Sequence, residues 1–203
     1  MTDFRHARRS AANPERGPTP RDDGDVAAVV SEAVGRLRAN GHLYFELRRD
    51  EPSGIAVAVR HHRSEDVALV EYGERFYTDD PLTAPFRSWL SRGGTSGRGP
   101  GIVALGELPR ASRTAYENRF LRRAGIADVL GIGIPASIDG RPRVFCFGFH
   151  RSAADPGFAA GEKRALARLA DGLRLRAENL ALREALALQA MAGRALAEDT
   201  GSG

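Results

Sequence analysis

Among 203 residues there is a single cysteine, Cys146, and among 30 basic side chains a single lysine, Lys163. One cysteine excludes an intramolecular disulfide and any zinc site built from several thiolates, and it suits a reducing compartment. Because nearly all the cations are arginine, the sequence pI near 9.8 owes much to the very high pKa of the guanidinium group, and the formal net charge is only +4. Spread along the chain, that charge is a weak pointer to nucleic acid. No uninterrupted apolar run approaches the roughly 18 residues of a membrane span, and the basic N-terminus has no apolar stretch of the length a secretory signal needs. Neither secretion nor a membrane span is expected, and the protein reads as cytoplasmic.

Reaction motifs are also missing. Ser96, in Gly-Gly-Thr-Ser-Gly-Arg-Gly, has its glycines at the wrong offsets for a nucleophile turn; there is no H-E-x-x-H, and no glycine-rich stretch ends in Gly-Lys-Ser/Thr. Gly131 and Gly133 do not open a helix after their strand, so they form no dinucleotide fingerprint. His42, His61, His62 and His150 fall on or beside strands, where His61 and His62 point to opposite faces, and the helical spacing of metal-binding histidines is absent. Cys146 sits between Phe145 and Phe147 and reads as an inert buried thiol, since reactive thiols need electropositive, partly exposed surroundings. No catalytic residue, no metal and no cofactor is assigned, and a small enzyme using Cys146 or a histidine is the weakest of the readings.

What is present describes one domain with tails. Residues 1–24 carry three prolines and many charges but almost no large apolar side chains, so they predict a disordered tail. An amphipathic helix is expected from Asp25, with Val26, Val29, Val30, Ala33, Val34 and Leu37 on one face and Asn40-Gly41 as its stop. Residues 42–50 and 54–62 read as one antiparallel hairpin, and 127–138 with 141–151 as a second, turned at Asp139-Gly140. Between them Asp80-Pro81 suits the cap and first position of a short helix toward Trp89, 93–101 is a glycine-rich loop, 102–105 a short strand, and 113–123 a helix closed by Ala124-Gly125. From Phe158 the chain reads as one long helix to about residue 192, with two apolar stripes, one of them Leu175, Leu182 and Leu186; residues 193–203 read as a frayed end. Two stripes exceed what one domain face needs and point to a partner helix; the competing reading is one long helix wholly packed on its own sheet.

Hairpins between segregated helices predict an α+β domain: an antiparallel sheet with flanking helices, spanning 25–157, followed by the long helix 158–192. The strand Arg-Val-Phe-Cys-Phe-Gly-Phe-His-Arg (143–151) does not alternate apolar with polar, so it reads as central and covered on both faces. Its two faces differ. Phe145, Phe147 and Phe149 are bulky, whereas Cys146, Gly148 and the paired Gly131 and Gly133 are low, and low relief admits either a ligand or a close-packed helix. The helix is the favoured occupant of the low face, which makes the phenylalanine face a candidate for a pocket. Tyr72, Phe76, Tyr77 and Trp89 around Asp80 mix large rings with a few polar groups, the composition of a small-molecule site; the competing reading is a segment that plugs the sheet.

Three stretches, 72–86, 113–135 and 143–178, carry a resemblance over about residues 25–185 to the sensory N-terminal half of LuxR-type transcriptional regulators, a domain similar to GAF and PAS domains. In such proteins an aromatic segment ends in Asp-Pro, a helix leads through Gly-Ile into two strands, and a strand ending in His-Arg leads into a long helix. The resemblance implies a GAF/PAS-like fold, no enzymatic activity, an unknown small-molecule ligand with Tyr72, Phe76, Tyr77, Asp80, Trp89 and Phe147 as its binding residues, and a homodimer through the long helix. The helix-turn-helix that follows in those regulators is absent from this sequence, so direct nucleic-acid binding is not carried over; a lone sensory domain working through a DNA-binding partner protein and a truncated regulator both fit. The autoinducer-binding branch is loosely similar at Tyr72, Tyr77, Asp80 and Trp89, with compressed spacing. An acyl-homoserine-lactone-like ligand and a pure dimerisation module are therefore the alternatives.

Overall fold

The computed structural model describes residues 24–50, 54–63, 72, 76–94, 99–138 and 140–200, with only the backbone of 24, 25, 50, 54–63 and 195–200. The expected tail at 1–23, the link at 51–53, part of the glycine loop at 95–98, Asp139 and the side chains of His61 and His62 lie outside the described residues. Helix α1 spans Gly24–Leu37; strands β1 and β2 span Gly41–Asp50 and Gly54–Arg63; α2 is Ala84–Ser91; β3 is Gly101–Ala104; α3 is Arg110–Tyr116. Strands β4 (Asp128–Ile138) and β5 (Arg141–Arg151) follow, and α4 (Ala160–Thr200) closes the chain.

The five strands form one antiparallel sheet in the order β2-β1-β5-β4-β3. Strand β5 is at its centre, as its non-alternating sequence predicts. Phe145, Phe147 and Phe149, with Leu130, Ile132 and Ile134 of β4 and Tyr44 of β1, pack against Val26, Val30, Ala33 and Leu37 of α1 and Leu166, Leu173 and Ala177 of α4. Helices α1 and α4 thus fill the phenylalanine face. On the opposite face Leu43, Phe45, Val144 and Cys146 meet Phe86, Trp89 and Leu90 of α2, Tyr116 of α3 and the residues Tyr72, Phe76 and Phe120. Two cores, one on each face, make a three-layered domain.

Several boundaries differ from expectation for local reasons. Helix α1 stops three residues early, at Arg38, whose φ of 50° places it in the left-handed region that glycine usually occupies. The Ala39 N–H reaches the Val34 carbonyl at 3.0 Å and the Arg38 N–H reaches Gly35 at 3.2 Å, the paired bonds of a Schellman stop. Asp80 does not cap α2, which begins at Ala84 behind Thr83, with a proline in its first turn. Helix α3 runs on into a π-turn, Glu117–Leu121, that keeps Tyr116, Phe120 and Leu121 all buried. Helix α4 continues to Thr200, past the expected fraying at 193, because alanine, leucine and glutamate in that stretch favour helix and no proline interrupts it.

The sheet and both terminal helices meet at Arg151, the last residue of β5. Its guanidinium donates to the carbonyls of Leu37 at 2.7 Å, Pro156 at 2.8 Å and Gly157 at 3.0 Å, pairs with Glu162, and lies 4.3 Å from the centre of the Phe158 ring. Glu162 in turn accepts from the Ala159 N–H at 2.6 Å, closing the start of α4. Among the described residues no helix is long and apolar enough to cross a membrane.

Candidate functional site

The core on the Cys146 face holds a cavity of about 50 Å³. Its floor follows from strand register: Gly131 of β4 is opposite Gly148 of β5, with Val103 and Leu43 at either end of that row. Two adjacent strands, β4 and β5, thereby offer no Cβ where α2 and the aromatic segment cross. An added Cβ at Gly131 meets nothing nearer than backbone oxygens at 3.7 Å, so the space over this glycine is open, whereas at Gly148 it would stand 3.3 Å from His150 Nε2. The next row, Gly101–Gly133–Cys146, is covered by the ring of Phe86, which lies 2.4 Å from where a Gly133 Cβ would stand.

One wall is polar. Asp80 is only 3% exposed and accepts hydrogen bonds from the Tyr72 hydroxyl at 2.7 Å and from the Leu82 N–H at 2.8 Å. The bond two residues onward is an Asx-turn, the reason Pro81 sits in a turn and not at a helix start. Burial raises the Asp80 carboxyl to about 6, and the Tyr72 hydroxyl and the Leu82 N–H hold it from rising further. Tyr116 brings its hydroxyl toward the same carboxylate, and burial first, then the Asp80 charge, pushes both tyrosines well above their ordinary values. Two phenols and an amide thus surround one carboxylate in an apolar chamber.

His150 lines the other side, and burial, with the charge of His42 second, lowers it to about 4, so it is neutral at physiological pH. The Cys146 thiol is buried and raised by burial and by the nearby Asp80 charge, which makes it a poor nucleophile. Among the described residues no cluster of three His, Cys, Asp or Glu side chains is placed to hold a metal.

Of the residues expected at a ligand site, Tyr72 and Asp80 do line the cavity. Phe76 and Trp89 belong to the same core but are not part of the cavity lining: Phe76 rests on Phe120 with ring centres 5.2 Å apart, and Trp89 packs beside Gly94. Tyr77 packs at the edge of that core, and its carbonyl accepts from the Thr83 hydroxyl at 3.5 Å. Phe147 borders the cavity, but its ring belongs to the opposite core, stacked on Tyr44 at 4.5 Å and 5°. The pocket face is therefore the low glycine face, which the close-packed Phe86 only partly fills, and not the phenylalanine face, which α1 and α4 occupy. Sequence reading missed Tyr116, Phe120 and Phe86. The first two are separated by one helical turn, and an aromatic pair at that spacing is the signal that was available.

No protein-family model matches the chain, and no curated protein matches it in sequence. Solved structures do resemble it in shape. The VqsR ligand-binding domain of Pseudomonas aeruginosa aligns with 77% of this chain and 87% of its own at 15% identity and a TM-score of 0.55. CepR2 of Burkholderia cenocepacia, an N-acylhomoserine-lactone-dependent LuxR-family transcription factor, aligns with 85% of this chain and 89% of its own at 16% identity and a TM-score of 0.56. SdiA in complex with octanoyl-rac-glycerol aligns with 81% of this chain and 62% of its own at 13% identity and a TM-score of 0.52. At such identities the likeness establishes the fold: an α+β domain shaped like the ligand-binding domains of LuxR-type regulators.

Proposed function

We propose that this chain is a non-enzymatic sensory domain of a LuxR-type regulator, which binds a small molecule over the Gly131–Gly148 row and relays its presence through α4. The observation that carries the reading is Asp80, a buried carboxylate held by Tyr72 at the edge of an apolar cavity. A charged group is costly to bury, and a ligand that donates a hydrogen bond to it gains both strength and orientation. The apolar lining suits a slim amphiphile with a donating head group. N-acylhomoserine lactones and acylglycerols, the ligand classes named for CepR2 and SdiA, are members of that class.

Ligand pockets usually enclose roughly 300 Å³ or more. At about 50 Å³ this cavity is a closed form, and a ligand of that class has to open it. Binding then favours the open packing of the segment 76–91 by no more than the ligand's differential affinity for the two states. His150 at the cavity is followed in sequence by Arg151 at the junction of α1 and α4, which supplies a short route to the long helix.

A thermal-shift screen of amphiphilic metabolites, acyl-homoserine lactones and monoacylglycerols tests this. A true ligand at a hundred times its Kd stabilises by about 2.7 kcal/mol, or roughly 5–10 °C for a chain of this size. D80N and Y72F lose most of that rise. A panel without any saturable shift overturns the sensing reading and favours a dimerisation module with a vestigial pocket.

A further inference from the structure

The cavity ends at Phe86, and the sequence beneath that ring is unusual in a specific way. Gly101 and Gly133 are register partners on β3 and β4, and the ring lies on both: a Cβ would stand 2.8 Å from Phe86 Cζ at Gly101 and 2.4 Å from Cε2 and Cζ at Gly133. Neither glycine has a positive φ, so backbone conformation does not explain them. They leave room for one flat ring. Two residues along β4, the Gly131–Gly148 row has the same low relief: the His150 imidazole approaches to 3.3 Å of where a Gly148 Cβ would stand, no side chain covers Gly131, and there the cavity lies. One continuous trough thus crosses the sheet, half open and half occupied by a side chain that is itself part of the cavity wall.

We propose that Phe86 is a stopper that sets the length of the ligand's apolar end. This rests on the reading that the cavity is the ligand site. With the ring on the Gly101–Gly133 pair, the trough holds a short apolar group over Gly131 and Gly148. Moving or trimming the ring extends it by about 7 Å, the rise of two strand residues. Phe86 sits in the first turn of α2, an eight-residue helix whose start is held by Thr83 and, through the Asp80–Thr83 turn, by Asp80 itself. The side chain that limits length and the carboxylate that takes the head group are therefore on one short segment.

The test uses F86A, G133A, their combination and the wild-type chain, with benzene, toluene and n-propyl- and n-butylbenzene as probes. Such probes need only an apolar void, so the outcome does not depend on the natural ligand. In F86A each added methylene tightens binding about fourfold, the worth of burying one methylene, whereas in the wild type affinity stops rising at the short members. G133A lowers the wild-type melting temperature by several times the change it makes in F86A, where the clash is gone; independent sites would agree to within about 2 °C. The same chain-length profile in F86A and the wild type, or additive effects of the two substitutions, overturns the stopper. Should F86A fail to fold, F86L is read in the same way, since it keeps bulk but loses the flat ring. Butylbenzene binding by F86A with no ligand found for the wild type keeps the stopper and overturns the sensing reading. A natural ligand whose tail-length preference F86A leaves unchanged does the reverse.

Discussion

Asp80 and His150 line one cavity with opposite electrostatic consequences. The Asp80 carboxyl stands at about 6 in the fold against an ordinary 3.8, so between pH 4 and 6 the folded state binds more protons than the unfolded state and stability falls as pH rises. His150 stands at about 4 against an ordinary 6.5, so across nearly the same window the unfolded state binds more protons and stability rises with pH. Each effect is of order 3 kcal/mol and their signs oppose, so in the wild type they largely cancel. Single substitutions separate them. D80N gives a chain whose stability climbs from pH 4 to 6.5, and H150Q one whose stability declines from pH 4 to 6; urea midpoints at half-unit intervals read both. If both variants track the wild-type curve, the two groups do not titrate in the fold as described. None of this was legible in the sequence. Asp80 reads as a helix cap because Pro81 follows it, and only the approach of Tyr72 and Leu82 makes it a buried acceptor.

At the scale of elements, local signals were read correctly where one short stretch decides the structure. Gly140, at φ 72°, stands between β4 and β5 where the Asp-Gly sequence predicts a turn, Gly125 at φ 68° ends the turn after α3, and Phe145, Phe147 and Phe149 share a covered face. What escaped reading depends on distant partners: which face stayed open, and what joins the ends of α1, β5 and α4. That joint is Arg151, 4% exposed, whose His-Arg sequence gives no hint that it bonds a carbonyl 114 positions away. Its fork satisfies the Leu37 carbonyl left open at the end of α1 while pairing with Glu162 at the start of α4. Glu162 is 23% exposed and stays hydrated without its partner, so the loss falls mainly on the buried Leu37 carbonyl, and R151M lowers stability by about 1–3 kcal/mol in urea unfolding. R151K recovers little of it, since an ammonium lacks the planar fork that reaches three carbonyls and a carboxylate together. A loss below 1 kcal/mol in R151M would show that the joint contributes little, and the proposed route from His150 to α4 would lose its support.

Over the whole molecule, α4 is longer than the domain it covers. Its 41 residues extend about 60 Å, yet the side chains buried against the sheet and α1 end at Ala181. Leu175, Leu182 and Leu186 are 58%, 45% and 64% exposed, and with Asn179 they fall at positions 175, 179, 182 and 186, the alternating spacing of a two-helix seam. Exposed leucines at 175, 182 and 186 are costly in water, and a second copy of the same helix would relieve that cost. Asn179 within it weakens that pairing but fixes its register, as a polar seam residue does in paired helices. The chain is therefore expected to sediment as a dimer. L182E/L186E shifts it to monomer without lowering the stability of the domain, because neither side chain contacts the domain's own cores, and N179L tightens the dimer. If ligand binding opens the segment 76–91 and acts through Arg151 on α4, ligand also changes the dimer's dissociation constant in the wild type, and R151M abolishes that change. A wild-type chain that stays monomeric at its highest soluble concentration, with or without ligand, removes self-association and leaves the stripe to a different protein's helix.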